Sequence, residues 1–237
     1  MAEDCGSDAR LIVTGPERRG YEPGREAQRR LRQECERSGG CRNFLMLVEH
    51  PPVITLGRSA ETPEVLASEE TLRQKGIHVA EVARGGRVTF HGPGQLVCYP
   101  ILDLRRRGRD LHRYLRDLEA WLIELCTGYG IDARRIEGRT GVWVGERKIA
   151  AIGVAARKWC SYHGVALNVS TDLSYFDLIV PCGFGDSGVT SLERELDEPP
   201  DWNEVAERAV SGFCRHFGFS DVERYGGVDK IERVKVP

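Results

Sequence analysis

The chain has 237 residues, 41% of them hydrophobic, with a formal net charge of −2. That length fits one sizeable α/β domain or two small ones, and the absence of a linker-like run favours one. A near-neutral balance gives no global drive toward nucleic acid or anionic membrane, and no apolar run reaches the roughly 18 residues of a spanning helix.

Residues 1–10 read as a disordered leader. They hold Glu3, Asp4 and Asp8 and no apolar core, which argues against a secretory signal or an Arg-rich transit peptide and makes a cytoplasmic location the expectation. Leu11–Thr14 reads as a short strand. Between Pro23 and Arg37, Ala27, Leu31 and Cys35 recur every four residues, the mark of a helix, and Ser38-Gly39-Gly40 stops it. Phe44–Glu49 and Val53–Leu56 read as strands around an extended Pro51-Pro52. Thr62 is placed to cap a helix with Pro63 at its first position and Gly76 at its end. Ile77–Val82 reads as a strand.

Arg84 to Gln95 holds four glycines in twelve residues, with Arg, His and Gln between them. Glycines let backbone N–H groups approach a ligand closely, so this can be a substrate-binding loop. It can equally be a hairpin with a tight glycine turn. It matches neither G-x-G-x-x-G nor G-x-x-x-x-G-K-[ST], so nucleotide-phosphate binding has no support. Leu96–Leu104 continues as a strand. Arg105, Arg106, Arg107 and Arg109 form the densest basic cluster, either a solvated end or a dock for an acidic protein. An amphipathic helix follows, with Leu111, Tyr114, Leu115, Leu118, Leu122 and Leu125 on one face.

The stretch Gly141–Gly183 organises the chain. Its apolar runs, Val142–Val144, Ile149–Val154, Val165–Val169 and Leu178–Val180, read as short buried strands, with Gly145-Glu146-Arg147 as a hairpin turn. Lys148 then sits on rigid backbone, and Cys182, between Pro181 and Gly183, sits at a strand exit with its sulfur accessible. Taken singly, Cys182 is an ordinary small hydrophobe, Lys148 a solvated lysine and His163 a core histidine. Taken together, a cation beside a thiol lowers its pKa and supplies a thiolate nucleophile, and a lysine that gives up its proton can act as a general base. Asp201 caps a last helix with Glu204 three residues on. Residues 221–237 form a weakly patterned tail. The eight cysteines lack any C-x-x-C, which disfavours a zinc ribbon or a redox motif, and reduced thiols are the simplest expectation.

Several motifs, in order, then resemble the lipoyl(octanoyl) transferases: LVEHPPVITLGRSA (Leu47–Ala60), RGGRVTFHGPGQLVCYP (Arg84–Pro100), and TGVWV, RKIAAIGV, HGVALNV, FDLIVPCG and VTSL beyond. The resemblance implies an α/β (α+β) fold, a mixed β-sheet with packed helices like the catalytic domains of biotin and lipoate protein ligases, spanning residues 11–220. It implies transfer of an octanoyl group from acyl carrier protein to a lysine of lipoyl domains, on the acyltransferase subunits of 2-oxoacid dehydrogenases and the glycine-cleavage H protein. It makes Cys182 the nucleophile, carrying an acyl thioester, and Lys148 the residue that lowers its pKa. The implied substrate site is Arg84, Gly85, Gly86, Arg87, Val88, Thr89, Phe90 and His91, with Ala151, Ile152, Gly153, Gly164, Val165 and Ala166; His163 joins it as the histidine of the central stretch. No metal, ATP or other cofactor is expected. Three other readings share parts of this pattern: an ATP-dependent lipoate or biotin ligase, an octanoyl amidotransferase between lipoyl domains, and a non-catalytic acyl-binding module.

Overall fold

The computed structural model describes residues 9–60, 64–180 and 188–231. Eleven strands form two sheets among them. The larger sheet uses β1 (Arg10–Arg18), β2 (Arg42–Glu49), β6 (Gln95–Ile101), β7 (Ala133–Ile136), β8 (Arg139–Val144), β9 (Arg147–Arg157), β10 (Cys160–Asn168) and β11 (Val222–Tyr225), in the order β11-β1-β2-β6-β10-β9-β8-β7. The smaller joins β4 (His78–Glu81), β3 (Val53–Leu56) and β5 (Val88–His91) in that order. The larger sheet is mixed, because β1 runs parallel to both β2 and β11 while the β6-β10-β9-β8 run is antiparallel.

Side-chain alternation divides the core. Leu11, Val13, Leu45, Leu47, Leu96 and Cys98 face α3 (Leu111–Thr127) and α5 (Trp202–Phe217), where Leu118, Trp121, Leu122 and Phe213 fill the other half of the layer. Ile12, Phe44, Met46, Val48, Val97 and Tyr99 face the opposite way, onto Ala27, Leu31 and Cys35 of α1 (Tyr21–Arg37). Full burial of each large apolar side chain stabilises by about 1.5–3 kcal/mol, so one-residue register slips, which exchange the two faces, are excluded. β6 is buried along its whole length, as its apolar run requires of a central strand. No helix among the described residues is long and apolar enough to cross a membrane.

Most expected elements form, and five expectations change. Thr62 and Pro63 lie outside the described residues; the helix there is the short α2 (Glu69–Gln74), where Ser68 accepts from the Thr71 N–H and so sets a later start. Leu178–Val180 is not a strand: a 3-10 helix covers Leu173–Leu178, and Ile179 makes one isolated bridge to Val65. The apolar run is used for packing in a small satellite core with Ile54, Phe90 and Phe176. The tail contributes β11, whose backbone completes the exposed edge of β1, and β1 itself begins at Arg10, inside the expected leader. Finally, Cys35, Cys98, Cys126, Cys160 and Cys214 are free thiols but Cys41 is disulfide-bonded, a pairing that spacing does not report. The cap at Asp201 is as expected, with its carboxylate accepting from the Glu204 N–H at 2.9 Å. α4 (Leu192–Glu195) follows Ser191, which caps it in the same way.

Candidate active site

A cavity of about 180 Å³ lies on the α1 face of the large sheet, under β5 and the loop that precedes it. Its floor is made by neighbouring strands in register. Ala151 of β9 pairs with Ala166 of β10, which pairs with Val97 of β6. One step along, Gly153 pairs with Gly164. Small side chains in two successive rows leave a groove on an otherwise well-packed sheet. Gly153 is required there, since a Cβ would stand 2.9 Å from the Arg84 Cδ and 3.0 Å from the Gly85 carbonyl oxygen.

Arg84 closes the roof. It is 7% exposed, and its Nη2 donates to both the Thr55 carbonyl and the Thr55 hydroxyl at 2.8 Å, which ties the loop to β3. Arg87 is paired with Glu64, a carboxylate 3% exposed. Gly86, Arg87, Val88, Thr89 and His91 also line the cavity, as do Ala151, Ile152, Gly153, His163, Gly164, Val165 and Ala166. Most of the residues that the resemblance implies for substrate thus come together along one cavity, from three separate stretches. Two expected members sit elsewhere: Gly85 is held by its N–H to the Val154 carbonyl, and Phe90 is buried behind the cavity, stacked on Tyr175 at 4.6 Å. Phe90 points away because side chains alternate along β5, where Thr89 and Phe90 take opposite faces.

Lys148 enters the cavity from β9. It is 8% exposed, and its Nζ stands 4.7 Å from the centre of the Trp143 ring. That contact favours a cation over the indole face. Gly141, at φ +127, is needed beside it: a Cβ there would press on the Ala150 carbonyl at 2.7 Å and the Lys148 Cε at 3.2 Å. Cys182 lies outside the described residues. The nearest described residues before and after it, Val180 and Gly188, make backbone hydrogen bonds beside the site. The Val180 N–H donates to the Glu64 carbonyl, Lys148 N–H donates to Gly188, and Thr190 N–H donates back to Lys148. Val180 is thus held at Glu64, the partner of Arg87, and Gly188 lies against Lys148 itself.

Histidines surround the far part of the cavity, and all are held neutral by burial. His91 is pushed down to about 3, and its Nδ1–H donates to Gln95 Oε1, 2.7 Å away. Gln95 in turn donates to Asn168, and Asn168 to the Thr190 carbonyl, each at 2.9 Å. His163 is pushed down to about 4 and takes φ +58, with its N–H donated to Gln28 at 2.8 Å. Tyr21, Val97, Tyr99, Gly138, Arg139 and Thr140 complete the lining. Sequence reasoning missed these, because each reads locally as a helix start, a strand interior or a hairpin tip. Among the described residues no group of His, Cys, Asp and Glu is arranged to hold a metal ion.

Three arginines of the basic cluster are tied to neighbours, although Arg105, Arg106 and Arg109 remain exposed. Arg105 pairs with the buried Asp103, Arg106 donates to the Gly39 carbonyl, and Arg107 lies over Phe217 and Phe219 while donating to the Phe217 carbonyl.

Fold and site together define a lipoate-ligase-type catalytic domain. The bi-partite lipoate protein ligase of Thermoplasma acidophilum superimposes with a TM-score of 0.68 at 19% identity, covering 92% of this chain and 87% of that one. Residues 26–214 match the family of the lipoyl protein ligase A/B catalytic domain. Octanoyltransferases of Acidobacterium capsulatum and Chloroflexus aggregans are 51% and 48% identical, over 84% and 83% of this chain and 85% and 90% of their own. The chain belongs to this family, on its lipoyl(octanoyl) transferase branch.

Proposed function

We propose that the protein is an acyltransferase that moves an octanoyl group from acyl carrier protein to a lysine of lipoyl domains, on 2-oxoacid dehydrogenase subunits and the glycine-cleavage H protein. One observation carries the reading beyond family membership. Three stretches far apart in sequence meet in a largely apolar cavity whose lining includes one lysine, Lys148. A medium-chain acyl group fits such a slot with its carboxyl carbon toward the amine.

In the proposed cycle, Lys148 as ammonium stabilises the Cys182 thiolate. The thiolate attacks the thioester carbonyl carbon, the bond to the carrier's sulfur breaks, and the departing thiolate takes a proton from Lys148. One thioester replaces another, so this step is near balance. The neutral amine of the acceptor lysine then attacks the acyl-enzyme, Cys182 leaves as thiolate, and Lys148 takes the proton from nitrogen. Formation of the amide drives the second half, and no nucleotide is consumed. Residues 11–220 act as one catalytic unit in this scheme, and the cytoplasm is its proposed setting.

Intact mass after incubation with an octanoyl thioester tests it. The expected result is a gain of one octanoyl group, removed by hydroxylamine and absent in Cys182→Ala. An adduct that persists in Cys182→Ala refutes the assignment of the nucleophile. Activity that survives Cys182→Ser and needs ATP establishes a ligase instead.

A further inference from the structure

The cavity has two ends. Lys148 marks one. The other is an aromatic wall outside every stretch that the motifs single out for substrate: Tyr99 of β6, Tyr21 at the start of α1, and His50 behind them. The register fixes their separation. The β6–β10 ladder places Tyr99 beside Gly164, and the β10–β9 ladder pairs Gly164 with Gly153, five residues beyond Lys148. A bulge at Ile149 shortens the run to about four regular residues at about 3.3 Å, and with two strand spacings at about 4.8 Å the two Cα positions stand about 16 Å apart. That span holds both side chains and an extended chain of medium length.

The wall is locked by hydrogen bonds. His50 Nδ1 lies 2.6 Å from the Arg19 carbonyl, which can only accept, so Nδ1 carries the hydrogen. In the neutral ring Nε2 is then an acceptor, and the Tyr99 hydroxyl at 2.7 Å must donate to it. Burial keeps His50 neutral, down to about 4. The Tyr99 ring therefore has one hydroxyl direction and a fixed place. Gly24 of α1 makes room for the histidine, since a Cβ there would come within 3.1 Å of its Cε1. Tyr21 seals the remaining side, edge-on to His50 at 5.3 Å and stacked on His91 at 6.1 Å. Tyr99 is 3% exposed and His50 1% exposed. A uniformly aliphatic end would do for burial alone. A tyrosine pinned by a histidine, itself pinned to backbone, makes an end that does not yield.

We propose that Tyr99, positioned by His50 and flanked by Tyr21, is the stop that sets the length of acyl chain this protein takes. The inference rests on the octanoyl-transfer reading and deepens it. Attraction along the slot cannot select a length by itself, because each further methylene adds favourable burial. A rigid end reverses the sign for the chain that is too long.

The test uses the full chain and small pantetheine thioesters of hexanoyl, octanoyl and decanoyl groups, with intact mass as the readout of loading rate. Tyr99→Leu should raise the decanoyl-to-octanoyl ratio by about fifteenfold, the worth of two newly buried methylenes. His50→Asn, which keeps the Tyr99 ring but removes its anchor, should raise the ratio by a smaller factor. Val97→Leu, two residues before Tyr99 on the same face, should shift preference the other way, toward hexanoyl, and it is mild enough to fold if Tyr99→Leu does not. Octanoyl loading in all four proteins with unchanged ratios overturns the stop while leaving the transfer reading intact. Failure of the wild-type protein to load any of the three overturns the transfer reading and this inference with it.

Discussion

Lowering the pH from 7.5 to 5.0 should destabilise the protein through three histidines at the site. His50, His91 and His163 are 1%, 7% and 6% exposed. Burial holds them down to about 4, 3 and 4, where an unfolded histidine titrates near 6.5. The folded pKa values are depressed, so above about pH 6.5 neither state is protonated and the full stability is present. Between about 6.5 and 4 the unfolded chain binds protons that the native one refuses, and stability falls with pH. At pH 5 the loss is about 2 kcal/mol for each, or about 6 kcal/mol for three acting independently. That is a large part of the roughly 5–15 kcal/mol that holds a domain together. Glu36, Asp110, Asp172 and Asp229 are held below their ordinary values by ion pairs or caps, and they enter only below about pH 4.5. Urea unfolding at pH 7.5, 6.0 and 5.0 measures the effect, with a constant denaturant slope as the check on two-state behaviour. His50→Gln should be less stable at pH 7.5 but should show about a third less loss at pH 5. A flat profile for the wild type, or a His50→Gln profile as steep as its parent's, would refute the reasoning.

Two further predictions concern cations. Lys148→Arg keeps a positive charge but cannot release a proton, so in single-turnover experiments it should load octanoyl onto Cys182 and then stall. Lys148→Ala should impair both halves, with iodoacetamide labelling of Cys182 displaced to higher pH; an unchanged labelling profile with normal turnover reduces Lys148 to a structural lysine. Arg105→Ala takes the guanidinium from the buried Asp103 carboxylate, which keeps the N–H of residue 105; with the arginine partly exposed to solvent the loss is about 1–3 kcal/mol. Arg107→Ala removes a cation from two phenylalanine rings and a 2.8 Å hydrogen bond, worth about 1–3 kcal/mol. Both variants should lower use of a carrier-bound donor and of a small thioester alike, in proportion to folded protein, measured by chemical denaturation beside the rate. A loss confined to the carrier-bound donor at unchanged stability makes this cluster a docking surface after all.

Local pattern carried a large share of the architecture. The four-residue recurrence in α1, the leucine face of α3, the Asp201 cap and the β8–β9 turn are set within a few residues of themselves, by helical and strand periods and by side-chain capping. The stretches Arg84–His91, Ala151–Gly153 and Gly164–Ala166 were legible through the family resemblance, whereas composition alone left the glycine-rich loop open between a ligand loop and a hairpin. What the sequence did not determine depends on partners distant along the chain. Leu178–Val180 has the composition of a strand, but its backbone meets only the short irregular stretch Glu64–Ala67, through a few hydrogen bonds and one isolated bridge. Val222–Tyr225 looks unpatterned alone and becomes a strand because the edge of β1 is there to receive it. Arg105 to Arg107 reads as a solvated run until Asp103, Gly39 and Phe217 are brought beneath it. Tyr99 and His50, 49 residues apart, meet through one hydrogen bond. Local periodicity decides which face of an element is buried, but only tertiary packing decides what that face meets, and the far end of the cavity is made entirely of such meetings.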